Sequence, residues 1–177
     1  MKSVSQVLGE YAAYHRHPLN RMTHYFGIPL IVFSMLLILT IPSFTVADVS
    51  VTAADILMAI VIAWYLKLDT LLGLLALSFL LPMLLVAEEI SSSLNSTVLN
   101  WLFAFTFIIG WILQLLGHRI EKRRPALVDN FMQIFSAPLF IVSELVFSLG
   151  MRLQLAHQVE KIAQVKVLLL RTGARKQ

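Results

Sequence analysis

Three of the five histidines, His15, His24 and His118, stand where apolar segments meet charged ones. His15 and His24 lie in YAAYHRHPLNRMTHYFGIP, and His118 is the second residue of GHRIEKRRPALVDN, which follows directly on a long apolar run. An imidazole binds transition metals and exchanges protons near neutral pH. Three imidazoles with a carboxylate nearby suit an iron or zinc ion. Glu121 is the nearest such carboxylate, a candidate fourth ligand or catalytic base, and equally a partner for Lys122, Arg124 or a neighbouring segment. Arg123 and Arg124 suit a fatty carboxylate or a lipid headgroup. Tyr14 and Asn20, beside the histidines, are candidates to hydrogen-bond a substrate, while Asn20 and Asn130 could instead cap helices. Tyr11, Tyr14 and His15 fall at i, i+3 and i+4, one face of a helix. The spacing alone is not diagnostic. There is no HExxH pair, and five histidines are too few for the histidine-rich desaturase pattern. An interfacial histidine can also be a plain amphipathic anchor. His17, next to Pro18, reads as a turn residue and His157 as a surface residue. With no cysteine in the chain, disulfides, iron–sulfur clusters and thiolate zinc sites are excluded.

The elements that must position these residues are apolar. The 177 residues are 58% hydrophobic and 14% charged, against about a quarter charged in a soluble domain. The excess gathers in runs of bilayer length. Four of them read as spans: Phe26–Pro42, Thr52–Leu66, Thr70–Ala87 and Thr97–Gly117. Lys67-Leu68-Asp69 makes a tight turn between the second and third. A fifth stretch, Phe131–Leu149, carries Pro138 and Glu144. Proline inside a helix removes a hydrogen bond, which predicts two half-helices, either re-entrant or lying at the interface. Glu144, ionisable within an apolar stretch, is a functional candidate. From Met151 the chain mixes Leu and Val with Lys and Arg and reads as a surface helix. The expected fold is an all-α polytopic membrane helical bundle, with four transmembrane helices plus a Pro-kinked re-entrant or interfacial helical hairpin. It forms one membrane-embedded domain over 1–177: a polar and aromatic leading segment at 1–25, spans within 26–117, a charged loop and hairpin at 118–150, and a basic amphipathic tail at 151–177. No signal-peptide core opens the chain.

The cations orient this bundle. Lys2, Arg16 and Arg21 precede the first span, Lys67 lies in the middle turn, and Arg119, Lys122, Arg123 and Arg124 follow the fourth. Six more lie in the tail. The other two connections carry only acids, Asp48 with Asp55 and Glu88 with Glu89. Both termini and the histidine-bearing ends are therefore expected on the cytoplasmic face, of a bacterial inner membrane or the endoplasmic reticulum. The net charge of +4 then serves an anionic membrane surface and not nucleic acid.

Two blocks of sequence resemble a known family. The first is Tyr11 and His15, then Pro18, Asn20, His24 and Gly27-Ile28-Pro29. The second is Gly110-Trp111-Ile112, Gln114, Gly117-His118, Glu121-Lys122-Arg123-Arg124-Pro125-Ala126-Leu127 and Asp129-Asn130. Both are similar to the 2-hydroxy fatty acid dioxygenase family, once a domain of unknown function, whose founding member acts in the metabolism of phytosphingosine to odd-numbered fatty acids. The resemblance runs from about Leu8 to Gly150. It implies an Fe(II)-dependent membrane enzyme that uses O2 to shorten a 2-hydroxy fatty acid by one carbon, with His15, His24 and His118 as iron ligands. It implies no 2-oxoglutarate, because the hydroxy acid itself supplies the electrons. Two other classes fit the residues: a non-catalytic membrane scaffold or lipid-binding protein, and a zinc lipid hydrolase that works without O2.

Orientation is directly testable in a chain without cysteine. A single cysteine placed at Lys122 should be labelled by an impermeant maleimide only after the membrane is opened. Labelling in sealed, right-side-out vesicles would reverse the orientation.

Overall fold

The computed structural model of the chain describes residues 2–172. Regular structure among these residues is helical except for one two-stranded hairpin. The chain divides into two units, Met1–Thr23 with Leu115–Gln177, and His24–Gln114.

Three helices are long and apolar enough to cross a membrane: α2 (Pro18–Leu39), α4 (Thr70–Ser93) and α5 (Ser96–Glu121). The remaining expected span forms α3 (Ala53–Leu68), whose 16 residues cover about 24 Å at 1.5 Å each. That is short of a hydrocarbon core of roughly 30 Å. Thr52 caps α3 reciprocally with Asp55. The turn expected around Lys67-Leu68-Asp69 is present, and Asp69 serves both helices. Its N–H donates to Tyr65 O at 2.9 Å and its carboxylate accepts from Leu72 N at 3.1 Å. Gly73 lets α4 lie against α3, since a Cβ there would fall 2.8 Å from Leu66 N.

The connection after α2 contains strands that the sequence reading did not anticipate. β1 (Ser43–Val46) pairs antiparallel with β2 (Val49–Thr52). Ala47 and Asp48 join them with φ of 47° and 64°, the left-handed pair of a tight hairpin turn. The β-branched residues gathered in SFTV and VSVT were the available signal.

Two helix ends differ from expectation. α2 begins at Pro18 and not near Phe26. Proline is pre-set for the first helical position, and His17 Nδ1 accepts from Leu19 N at 3.2 Å as its cap. α5 runs on past Gly117, so His118 lies within its last turns instead of capping it. It ends where Lys122 takes φ 56°. There Arg123 N donates to His118 O and Lys122 N to Arg119 O, a left-handed C-terminal cap.

The first unit also holds α1 (Val4–Ala12), α6 (Ala126–Asp129), α7 (Gln133–Ser148) and α8 (Leu153–Thr172). The expected Pro-kinked hairpin is not formed, because Phe131–Leu149 contains a single helix, α7, with Pro138 inside it. Pro138 falls in the second turn, where the missing N–H costs one backbone bond, and its neighbours Ser136, Ala137, Leu139 and Phe140 are all buried. Packing thus outweighs the lost bond. Tyr14 and His15 fall just beyond α1, in a turn whose N–H groups reach Tyr11 O and Ala12 O. The amphipathic tail is present as α8, which buries Leu155, Val159 and Ala163. Arg175 and Lys176 of that tail lie outside the described residues. α8 is tied by the guanidinium of Arg16, which grips Glu160 through two bonds of 2.6 and 2.7 Å. These bonds hold the Glu160 carboxyl down at about 2.

α1 lies on α8 through Gly9. A Cβ there would meet Ile162 Cβ at 2.7 Å and Val159 O at 3.0 Å. Neither atom can swing away. Gly9→Val should therefore lower stability by roughly 1–3 kcal/mol, read as a fall in the thermal transition of the purified protein. An unchanged transition would show that the two helices separate freely.

Candidate metal centre

His15, His24 and His118 converge. Each offers a ring nitrogen, and the three nitrogens lie within 4.8 Å of one another. Their residues are only 1%, 2% and 5% exposed. Among the described residues they are the one group of three or more metal-ligating side chains brought together this closely.

The orientation of His15 is set by its surroundings. Its Nδ1 lies 2.8 Å from Tyr11 O. A carbonyl can only accept, so Nδ1 carries the proton and Nε2 keeps the lone pair. Such a bond is the usual partner of a metal-binding imidazole. The Tyr11 ring stacks on His15 at 4.1 Å with an interplanar angle of 9°. The edge of His118 meets it at 5.0 Å, and Phe140 of α7 closes a further side at 6.0 Å.

The backbone that carries His15 is held by Glu121. This carboxylate accepts from Arg16 N at 2.8 and 3.0 Å, from His17 N at 3.2 Å and from Asn20 Nδ2 at 2.6 Å. Its side chain is 4% exposed, with Arg123 at 3.9 Å. Glu121 lies three residues past His118 on α5, so one buried anion ties the helix of one imidazole to the turn of another. Gly117 makes room for this contact, because a Cβ there would collide with Thr23 Oγ1 and Asn20 Oδ1.

The remaining candidates distribute as follows. Arg123 Nη1 donates to Ala13 O at 2.6 Å. Arg124 is exposed and makes no side-chain bond among the described residues. The Tyr14 hydroxyl donates to Asp129 at 2.7 Å, and burial followed by that bond raises its pKa. Asn20 does not cap a helix; it is fully buried and its amide also donates to Tyr14 O at 3.3 Å. Asn130 does not cap a helix either, since the N-cap of α7 is Met132; its side-chain oxygen accepts from Met132 N at 3.0 Å in the turn ahead of that helix. Glu144 pairs with Arg21 at 2.7 Å.

Sequence reasoning did not find Arg21, which spends its Nε on His15 O at 2.8 Å while pairing with Glu144 of α7. Its position before an apolar run reads only as a membrane-flanking cation. It also did not anticipate that Gln133 Oε1, Gln114 Nε2 and Trp111 Nε1 would be buried without a hydrogen-bond partner among the described residues.

Residues 1–149 match the family described as 2-hydroxy-palmitic acid dioxygenase Mpo1-like. The chain is 37% identical over 161 residues to the 2-hydroxy-palmitic acid dioxygenase MPO1 of Saccharomyces cerevisiae, which covers 90% of this chain and 88% of the yeast protein. No solved structure matches it significantly.

The Glu121 network separates two roles. Glu121→Ala strands three donor groups that each lose a bond to a charged acceptor, at roughly 1.5–3 kcal/mol apiece. It should lower the thermal transition and bound metal together. Glu121→Gln should lower both less. If Glu121→Gln kept full metal and stability but lost turnover, Glu121 would be a proton carrier and not a strut.

Proposed function

Since the chain belongs to the Mpo1-like family, a family of dioxygenases acting on 2-hydroxy fatty acids, we propose that it is an iron-dependent enzyme that shortens such acids by one carbon. The observation that carries this is the buried convergence of His15, His24 and His118. The donor set fits a ferrous ion: neutral imidazoles, one with its tautomer fixed by Tyr11 O, leave room for further ligands on a borderline metal. Iron held there supplies activation of O2. The overall reaction converts a 2-hydroxy acid and O2 into the acid one carbon shorter, CO2 and water. The substrate loses all four electrons that O2 takes up, so neither 2-oxoglutarate nor a nicotinamide is consumed.

The chain's own residues divide the remaining work. Arg123 and Arg124 neutralise the carboxylate, Arg124 from an exposed position and Arg123 from beside Ala13 O. Glu121, with Asn20, holds the His15 turn; whether it also moves a proton is what its Gln variant reads. Tyr14, with its donor given to Asp129, would meet substrate only by exchanging that bond. The acyl chain lies among the apolar helices, where burial contributes roughly 0.8 kcal/mol per methylene. We further propose that α3 is a fourth span, in a locally thinned bilayer, and that both termini and the histidines face the cytoplasm. The one-sided cations support that orientation.

Protein purified without oxygen should bind about one iron per chain. His15→Ala, His24→Ala or His118→Ala should reduce that iron and abolish activity, whereas His157→Ala, on the exposed face of α8, should do neither. O2 consumed and CO2 released should be equal. Turnover in strict absence of O2 would leave the zinc hydrolase in its place; full activity without metal would end both.

A further inference from the structure

Gln114 is a polar residue in the apolar part of α5, and it is 7% exposed. Its side-chain Nε2 is buried and makes no hydrogen bond among the described residues. Such a donor costs about 1–3 kcal/mol when left unmatched, so its presence calls for an acceptor that the described residues do not provide.

Its placement narrows the acceptor. Gln114 precedes His118 by one turn of α5, on the same face. Across from it, Gly27 lies one turn beyond His24 on α2, and a Cβ at Gly27 would fall 2.9 Å from Gln114 Nε2. The backbones of α2 and α5 touch here. The same Cβ would lie 3.0 Å from Gly110 O, and one at Gly110 would lie 3.0 Å from Gly27 O. Close approach through small residues is how apolar helices lock together. The amide is thus built into a rigid wall, one turn deeper along both helices than the imidazoles they carry.

We propose that Gln114 is the residue that recognises the 2-hydroxyl group of the substrate. This rests on the function proposed above. Along α5 the cations follow His118 and the apolar residues precede it, so a bound acid keeps its carboxylate toward the cations and its chain toward Gln114. The first substrate atom beyond the carboxylate that can accept a hydrogen bond is the 2-hydroxyl oxygen. A neutral amide suits a neutral hydroxyl, and a site built to bond a hydroxyl rejects the analogue that lacks it. A plain fatty acid in the same place would leave the Nε2 donor unmatched.

Binding, and not turnover, is the test. Zn(II)-loaded protein in nanodiscs is titrated with 2-hydroxy-palmitic acid and with palmitic acid. The wild type should prefer the hydroxy acid. Gln114→Met keeps the length of the side chain and removes the donor. It should weaken the hydroxy acid roughly tenfold and leave palmitic acid unchanged, so that the preference collapses. If that variant does not fold, Gln114→Asn withdraws the amide by one methylene and should erase the preference in the same way. A wild-type preference that survives in the variant, or an equal loss for both acids, overturns the assignment of Gln114 alone. A wild type that binds neither acid overturns it together with the proposed function.

Discussion

The buried carboxylate of Glu121 is the constraint on which the centre depends. An anion with 4% of its side chain exposed is tolerable only when hydrogen-bonded. Here the donors are two backbone N–H groups of the turn after α1 and the amide of Asn20. Neither backbone group could be satisfied by a helix of its own, because the turn lies between α1 and α2. The carboxylate and the turn therefore complete each other. His15 comes from one side of this contact and His118 from the other. Arg21 and Arg16 extend the same logic outward, each joining the segment around His15 to a carboxylate of α7 or α8.

Around this polar knot the structure is held by close approach of helices. Gly117, Gly27 and Gly110 each stand where a side chain would strike a neighbour. In an apolar medium the hydrophobic effect does not draw helices together, and contact area with small residues does. The same medium makes every buried polar atom expensive. Most are answered locally, as Ser34 and Thr40 are by carbonyls of their own helix. Trp111 and Gln114 of α5 and Gln133 of α7 are exceptions, each with a buried side-chain atom that meets no hydrogen-bond partner among the described residues.

The exposed surface is consistent with lipid as the outer solvent. Phe26, Leu74, Leu85, Trp101, Phe105 and Ile112 are all more than half exposed. On a soluble protein such large apolar side chains in contiguous rows would mark an interface or an aggregation hazard. On α2, α4 and α5 they face the medium that their composition selects.

The amino-acid sequence by itself determined the helical class, the apolar segments, the sharp turn at Asp69 and the identity of the three histidines. These follow from composition, from hydropathy over bilayer lengths and from the rarity of imidazole beside apolar runs. It did not determine where the helices stop. Nothing in Gly117-His118-Arg119-Ile120-Glu121 breaks a helix, and whether Gly117 ends α5 or admits a neighbour depends on what packs there. Nor could it tell that Pro138 would be absorbed within a single helix, because that depends on the partners buried around it. Above all, the role of Glu121 was open between ligand, base and ion pair. Its partners at Arg16, His17 and Asn20 are about a hundred residues away in the chain, and only the tertiary structure brings those donors to one carboxylate.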